Sequence, residues 1–258
     1  MLTIPRTVSV LIAAWDNVDG FRKVPTREMN TTEAVAYVRS SLAAVADPDK
    51  AVGMQAYMKT DMPFYGVQKP ARAKILRHLR KVFPPRDRDE YEALAIALWE
   101  LPHREEKYLA QGVAAEFPVF VVPPSMPLYR RFIVEGAWWD FVDETATHMI
   151  RLLVIDHPDE TWPIVDRWIG HDDMWLRRAA ILCQVGAKAR TDVTRLFRYC
   201  VSRAHEEEFF IRKAVGWALR DYARTDPEAV AVFARKHHGD LSRLSYREAT
   251  KHIGHLVS

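Results

Sequence analysis

Tryptophans recur at nearly constant intervals along this chain, and this spacing limits the folds that it can adopt. Intervals of 40, 36 and 42 residues separate Trp99, Trp139, Trp175 and Trp217. A repeat of this length is typical of two-helix units that stack into a solenoid, each burying its apolar face against its neighbours. The alternative is a helical bundle without repeats, in which the spacing arises by chance.

Helix signals dominate the sequence between these tryptophans. Two segments, Asn30–Glu33 and Ser245–Glu248, resemble capping boxes at helix starts. Prolines near the starts of helical patterns are also expected there, because a missing N–H costs little in the first turn; these are Pro158, Pro163 and Pro227. The best strand candidate is Val119–Val122, which prolines bracket. We therefore predict an all-α protein, a HEAT-like helical-repeat solenoid with a concave face.

Composition bounds the organisation of the chain. With 258 residues, 48% of them hydrophobic, the chain is long enough for one large domain or two small ones and can fill a core. We predict an N-terminal extension at residues 1–30, which lack the repeat pattern, and a single domain at residues 31–258. Cys183 and Cys200 are expected to be reduced core residues, since two thiols form no disulfide framework. The apolar stretch Val8–Trp15 is too short to span a bilayer, so a cytoplasmic protein is expected.

Basic residues are distributed unevenly, although the formal net charge is only +3. One segment is rich in them, with Lys69, Arg72, Lys74, Arg77, Arg80 and Lys81, and three basic pairs lie about one repeat apart, at Arg130-Arg131, Arg177-Arg178 and Arg212-Lys213. Equivalent positions of stacked repeats lie side by side, so the pairs predict a basic stripe that contacts a phosphate backbone. The alternative is that these long side chains only solvate helix surfaces.

The segment Ala137–Glu144 combines two tryptophans with three acids. On a helix Trp139 and Asp143 are four residues apart and share a face, whereas Asp140 and Glu144 are expected to turn away from it. Alone, this pattern is also that of a helix N-terminus with a packed tryptophan. If the repeats align, however, Asp143, Arg178 and Trp217 come from neighbouring units and can converge. Such a group could stabilise a cation within a polyanion.

Several segments together resemble the DNA alkylation repair family of AlkD type. They are Ala56–Gly66, Trp138–Asp143, Trp175–Ile181, Phe209–Pro227 and Leu244–Ile253. The resemblance covers roughly residues 33–255, in order and without large gaps. It implies a HEAT-like superhelix that holds duplex DNA in its concave face, and glycosylase action on purines alkylated at N3 or N7.

The resemblance also assigns site residues. It implies that Asp143 is the catalytic aspartate, that Trp139 and Trp217 contact the deoxyribose, and that Arg178 is the active-site arginine, which would hold a phosphate. A tyrosine in the DNA groove falls on Tyr57. The chain departs from the family pattern at Arg177, where a neutral residue is also acceptable, and this puts only local phosphate contacts in doubt. The further residues expected to bind DNA are Lys69, Arg72, Arg177, Arg212 and Lys213.

The implied chemistry suits these residue types. An alkylated purine is positively charged and leaves as a neutral base, so no general acid is needed and one carboxylate can stabilise the oxocarbenium-like sugar. We expect a monomer that acts on duplex DNA containing alkylated purines, without membrane contact. Neither a cofactor nor a metal is expected, because His252 and His255 have no further ligand beside them. The alternative functions are a non-catalytic HEAT-repeat scaffold for damaged or branched DNA, and a protein-interaction module.

Overall fold

The computed structural model describes residues 30–257, and every regular element in this range is helical. The α-helices are α1 (Thr31–Ala44), α2 (Pro48–Met58), α3 (Lys69–Val82), α4 (Arg88–Trp99), α5 (Arg104–Glu116), α6 (Met126–Gly136), α7 (Trp139–Glu144), α8 (Arg151–Asp156), α9 (Pro158–Trp168), α10 (Met174–Leu182), α11 (Val193–Ser202), α12 (Phe209–Tyr222), α13 (Pro227–Lys236), α14 (Arg243–Ala249) and α15 (Gly254–Val257). A π-helical segment, Thr145–Ile150, joins α7 to α8. Apart from Asn30, the predicted extension at residues 1–30 lies outside the described residues.

The helices stack as a helical-repeat solenoid, as predicted. One series of helices packs consecutively, each member against the next, and we call it the inner row: α3, α5, α7, α10, α12 and α14. The other helices pack against this row, for example α4 against α5, α9 against α10 and α13 against α12. A single apolar core runs through the stack from Ala34 to Ile253, because each unit covers the apolar face of its neighbour.

The helix starts confirm one of the two expected caps. Asn30 caps α1, since its side chain accepts the backbone N–H of Glu33 at 3.2 Å. The capping box predicted at Ser245–Glu248 is wrong, because α14 begins earlier. Its cap is Ser242, whose hydroxyl accepts the backbone N–H of Ser245 at 3.0 Å, so Ser245 lies inside the helix.

Prolines and cysteines behave largely as expected. Pro158 and Pro227 are the first residues of α9 and α13, whereas Pro163 lies inside α9, so its predicted place near a helix start is wrong. Cys183 and Cys200 are buried free thiols, and burial raises the pKa of both. The strand candidate Val119–Val122 overlaps a 3-10 turn, Pro118–Phe120. Within residues 30–257, no helix has both the length and the apolar character needed to cross a bilayer.

A buried carboxylate clamps the loop between α2 and α3 to α5. The side chain of Glu105 is fully buried and accepts three backbone N–H groups, those of Tyr65, Gly66 and Val67, at 2.9–3.1 Å. Gly66 is required there, because its φ is +82° and a Cβ would lie 2.0 Å from the carbonyl oxygen of Asp47. The start of α3 is therefore fixed to α5, its neighbour in the inner row.

Candidate functional site

The turn between α6 and α7 positions the segment of tryptophans and acids. Ala137 adopts a left-handed conformation with φ 41°, which ends α6 and redirects the chain. Trp138 then packs its ring against Trp175 and Phe210, with centroid distances of 5.9 and 5.4 Å. Because these partners belong to α10 and α12, the start of α7 is anchored to the next two helices of the inner row.

A cleft of about 540 Å³ lies over α7. The helical stretch contributes five lining residues to it, Trp139, Asp140, Asp143, Glu144 and Thr147. These positions correspond to i, i+1, i+4, i+5 and i+8, which is a broad helical face and not only an i, i+4 pair. The prediction that Trp139 and Asp143 share a face is confirmed, and the prediction that Asp140 and Glu144 turn away from it is wrong.

Residues from distant repeats complete the cleft. Trp217 of α12 lines it together with Trp139 and Asp143, although α7 and α12 are separated in sequence by about two repeats. Lys69 and Arg72 of α3 and Tyr108 of α5 also line it. The structure thus brings Trp139, Asp143 and Trp217 to one surface. The repeat alignment predicts that Asp143 and Trp217 meet there, together with Arg178.

Arg178 of α10 holds the Asp143 carboxylate in a bidentate pair. Its Nε donates to Oδ1 and a terminal nitrogen donates to Oδ2, both at 2.8 Å. Arg178 is 5% exposed and Asp143 is 15% exposed. Burial raises the pKa of the Asp143 carboxyl, and the two hydrogen bonds from Arg178 partly offset that rise.

Arg178 is itself fixed by α12. Its remaining terminal nitrogen donates to the backbone carbonyl of Phe210, and its guanidinium lies 5.8 Å from the centre of the Phe210 ring. In the structure Arg178 therefore connects α7, α10 and α12, and orients the Asp143 carboxylate toward the cleft. Its expected contact with a DNA phosphate stays a prediction.

A second carboxylate network supports the same face, and the sequence analysis missed it. Asp140 accepts from Arg104 at 2.6 and 3.1 Å and from the hydroxyl of Tyr108 at 2.5 Å. Arg104 is almost fully buried and Asp140 is 9% exposed. The signal was present, because Arg104 and Tyr108 are spaced i, i+4 and Arg104 precedes Asp140 by one repeat length.

A second cleft, of about 660 Å³, adjoins the first and shares Met58, Lys69, Arg72 and Tyr108 with it. Tyr57, the residue expected in a DNA groove, lines this second cleft and is 73% exposed. Lys69 is exposed beside it. Arg72 is more constrained, since its guanidinium donates to the backbone carbonyl of Val67 at 2.6 Å and lies over the Tyr108 ring at 4.5 Å. Burial lowers the pKa of Arg72.

The basic pairs are largely engaged by acids. Arg177 forms an ion pair with Glu206 at 3.0 Å and also donates to backbone carbonyls of the preceding loop. Lys213 pairs with Glu248 at 3.1 Å. Arg212 is half-buried, and within the described part of the chain its Nε has no hydrogen-bond partner. The structure therefore places these three residues on the inner-row helices α10 and α12, but their contact with phosphates stays a prediction.

Comparison with known proteins gives the chain a family. A family model described as DNA alkylation repair enzyme matches residues 38–253. The chain belongs to this family. A solved structure described as a predicted DNA alkylation repair enzyme from Enterococcus faecalis is similar, with a TM-score of 0.73 and 28% sequence identity over 81% of this chain and 96% of that chain. A comparison with curated proteins finds no match.

Membership of the DNA alkylation repair enzyme family indicates a role in the repair of alkylated DNA, with DNA as the substrate. The matched range includes every residue of the cleft described above. Among residues 30–257, no group of three or more histidine, cysteine, aspartate or glutamate side chains could hold a metal ion.

Proposed function

We propose that this protein is a DNA glycosylase that hydrolyses the N-glycosidic bond of cationic N3- or N7-alkylated purines in duplex DNA. The observation that carries the proposal is the convergence of Trp139, Asp143 and Trp217 on one cleft, with Asp143 oriented by Arg178. The reaction would begin base excision repair of alkylation damage, in the cytoplasm and by a monomer.

The cleft chemistry fits the charge changes of this reaction. As the C1′–N bond breaks, the positive charge of the base passes to the sugar, which resembles an oxocarbenium ion. The Asp143 carboxylate supplies a negative charge in a poorly solvated site, where electrostatic stabilisation is stronger than in water. The faces of Trp139 and Trp217 attract the same cation, by about 0.5–2 kcal/mol for each contact.

The leaving group needs no proton, because the cationic purine departs as a neutral base. This explains why a site whose buried acids are all paired with arginine can still catalyse the reaction. Asp140 and Asp143 accept hydrogen bonds from Arg104 and Arg178 and so act as negative charges in the cleft. A neutral damaged base would gain little from this arrangement.

The decisive experiment measures release of free base. Purified protein is incubated with duplex DNA that carries a single N7-methylguanine, and the released base is quantified against the Asp143→Asn variant. Release by the wild type and its loss in the variant would support the proposal. Tight DNA binding without any base release would instead favour the non-catalytic scaffold.

A further inference from the structure

Three acids lie along the cleft face of α7, and two of them are saturated by arginine. Both oxygens of Asp143 accept from Arg178 at 2.8 Å. Both oxygens of Asp140 accept from Arg104, and one of them also accepts from Tyr108. A water molecule that bound to either carboxylate would have to compete with these charged donors.

Glu144 is the third acid, and its environment differs. It lines the same cleft directly after Asp143 in the chain, but it is 39% exposed. Within residues 30–257 its carboxylate forms no ion pair with lysine or arginine, and its ion-pair contact is Nδ1 of His148 at 3.5 Å. Its oxygens are therefore available to accept a hydrogen bond from water in the cleft.

We propose that Glu144 is the general base that binds and deprotonates the attacking water. This inference rests on the proposed glycosylase function. The water oxygen bonds to C1′ while Glu144 takes one of its protons, and the C1′–N bond electrons leave with the purine and neutralise its charge. The products are the abasic sugar, a neutral base and a protonated Glu144 that returns its proton to solvent.

The two adjacent acids then have different tasks. Asp143 is fixed and buried, so its charge stabilises the sugar cation without moving. Glu144 is more exposed and reaches solvent, as a residue that exchanges protons with water must. A general base requires hydrogen-bond reach to the proton that it removes, which the position of Glu144 on the cleft lining permits.

The test compares Glu144→Gln and Glu144→Ala with wild type and with Glu160→Gln. Glu160 is an exposed acid of α9 outside the cleft, so it controls for the loss of one negative charge. Single-turnover release of N7-methylguanine and DNA affinity are measured in parallel. We expect both Glu144 variants to slow base release about 10- to 100-fold. This is at or below the roughly 100-fold lower limit for a general base, because the cationic leaving group already drives bond cleavage.

Added azide distinguishes a catalytic role of Glu144 from a structural one. Azide attacks C1′ as an anion and needs no base, so it should accelerate base release by Glu144→Ala relative to the same concentration of chloride. The product should be the glycosyl azide, which mass spectrometry detects. Azide should not rescue Asp143→Asn, which lacks the stabilising charge. DNA affinity should not fall in the Glu144 variants, because the change removes a negative charge that would repel DNA phosphates.

Two results would overturn the inference while leaving the glycosylase proposal intact. One is wild-type base release by Glu144→Ala, and the other is slow release that azide does not accelerate. A wild-type protein that releases no base would instead overturn the proposed function, and the role of Glu144 with it.

Discussion

Replacing Asp143 by Asn is the most direct test of the electrostatic argument. The substitution keeps the size of the side chain and one acceptor oxygen, but it removes the negative charge that faces the cleft. It also leaves Arg178, which is 5% exposed, without the carboxylate that accepts two of its hydrogen bonds. The change therefore affects catalysis and stability through the same pair.

The expected loss of activity follows from Coulomb's law. A unit charge about 4 Å from the sugar cation contributes about 4 kcal/mol at an effective dielectric of about 20. Each 1.36 kcal/mol corresponds to about tenfold in rate, so the upper limit is about 1000-fold. Arg178 shares the charge of Asp143, which reduces the effect, and we expect a loss of about 10- to 1000-fold.

The expected loss of stability can be separated from this effect. Removing one partner of a buried ion pair costs about 3–5 kcal/mol, and the remaining acceptor oxygen of Asn favours the lower end. Base release is therefore measured under single-turnover conditions, well below the midpoint of thermal unfolding, with DNA affinity determined on the same preparations. Retained binding with slow release is the expected result. Excision at the wild-type rate by a folded Asp143→Asn variant would refute the role of the carboxylate.

Four further outcomes follow from the same site. Arg178→Gln removes the hydrogen bonds that partly offset the effect of burial on the pKa of Asp143, so this pKa should rise further. As pH falls, kcat/KM should therefore begin to drop at a higher pH than in wild type. An unchanged acid limb of the pH profile would contradict the pairing. Trp139→Ala and Trp217→Ala should each slow excision about 2- to 30-fold, from about 0.5–2 kcal/mol per cation–aromatic contact, and an unaltered rate would exclude that contact. The logarithm of DNA affinity should fall linearly with the logarithm of salt concentration, with a slope of about −0.9 for each phosphate contact. An affinity that does not change with salt would argue against a phosphate-binding face. Uracil in duplex DNA should be a poor substrate, and rates comparable to those on N7-methylguanine would indicate that a general acid protonates the leaving base.

The repeat spacing predicted the architecture because it reflects packing between units. Trp99, Trp139, Trp175 and Trp217 have similar intervals but do not share one environment. Trp139 and Trp217 line the cleft, whereas Trp175 packs against Trp138 and Trp99 is buried in the core. The repeat length could thus be read from the sequence, but the environment of each tryptophan ring depends on how the helices cross.

The sequence patterns gave only part of the ion pairing. Arg177 and Arg178 are neighbours in the chain, yet one pairs with Glu206 and the other with Asp143. Their partners lie 29 and 35 residues away, and proximity at that distance depends on the exact stacking of repeats. Because acids neutralise part of their charge, α10 and α12 offer a phosphate backbone less positive charge than the number of their basic residues suggests.

The buried carboxylate of Glu105 has a consequence for how DNA would be selected. By clamping the α2–α3 loop to α5, it holds the start of α3, with Lys69 and Arg72 of the cleft lining, in a fixed position beside α5. Where a lining element is fixed in this way, more of the adjustment must come from the double helix. Under the proposed function, the cost of fitting would be paid as bending and unstacking of the duplex, so sites that deform easily would be preferred before any base is examined.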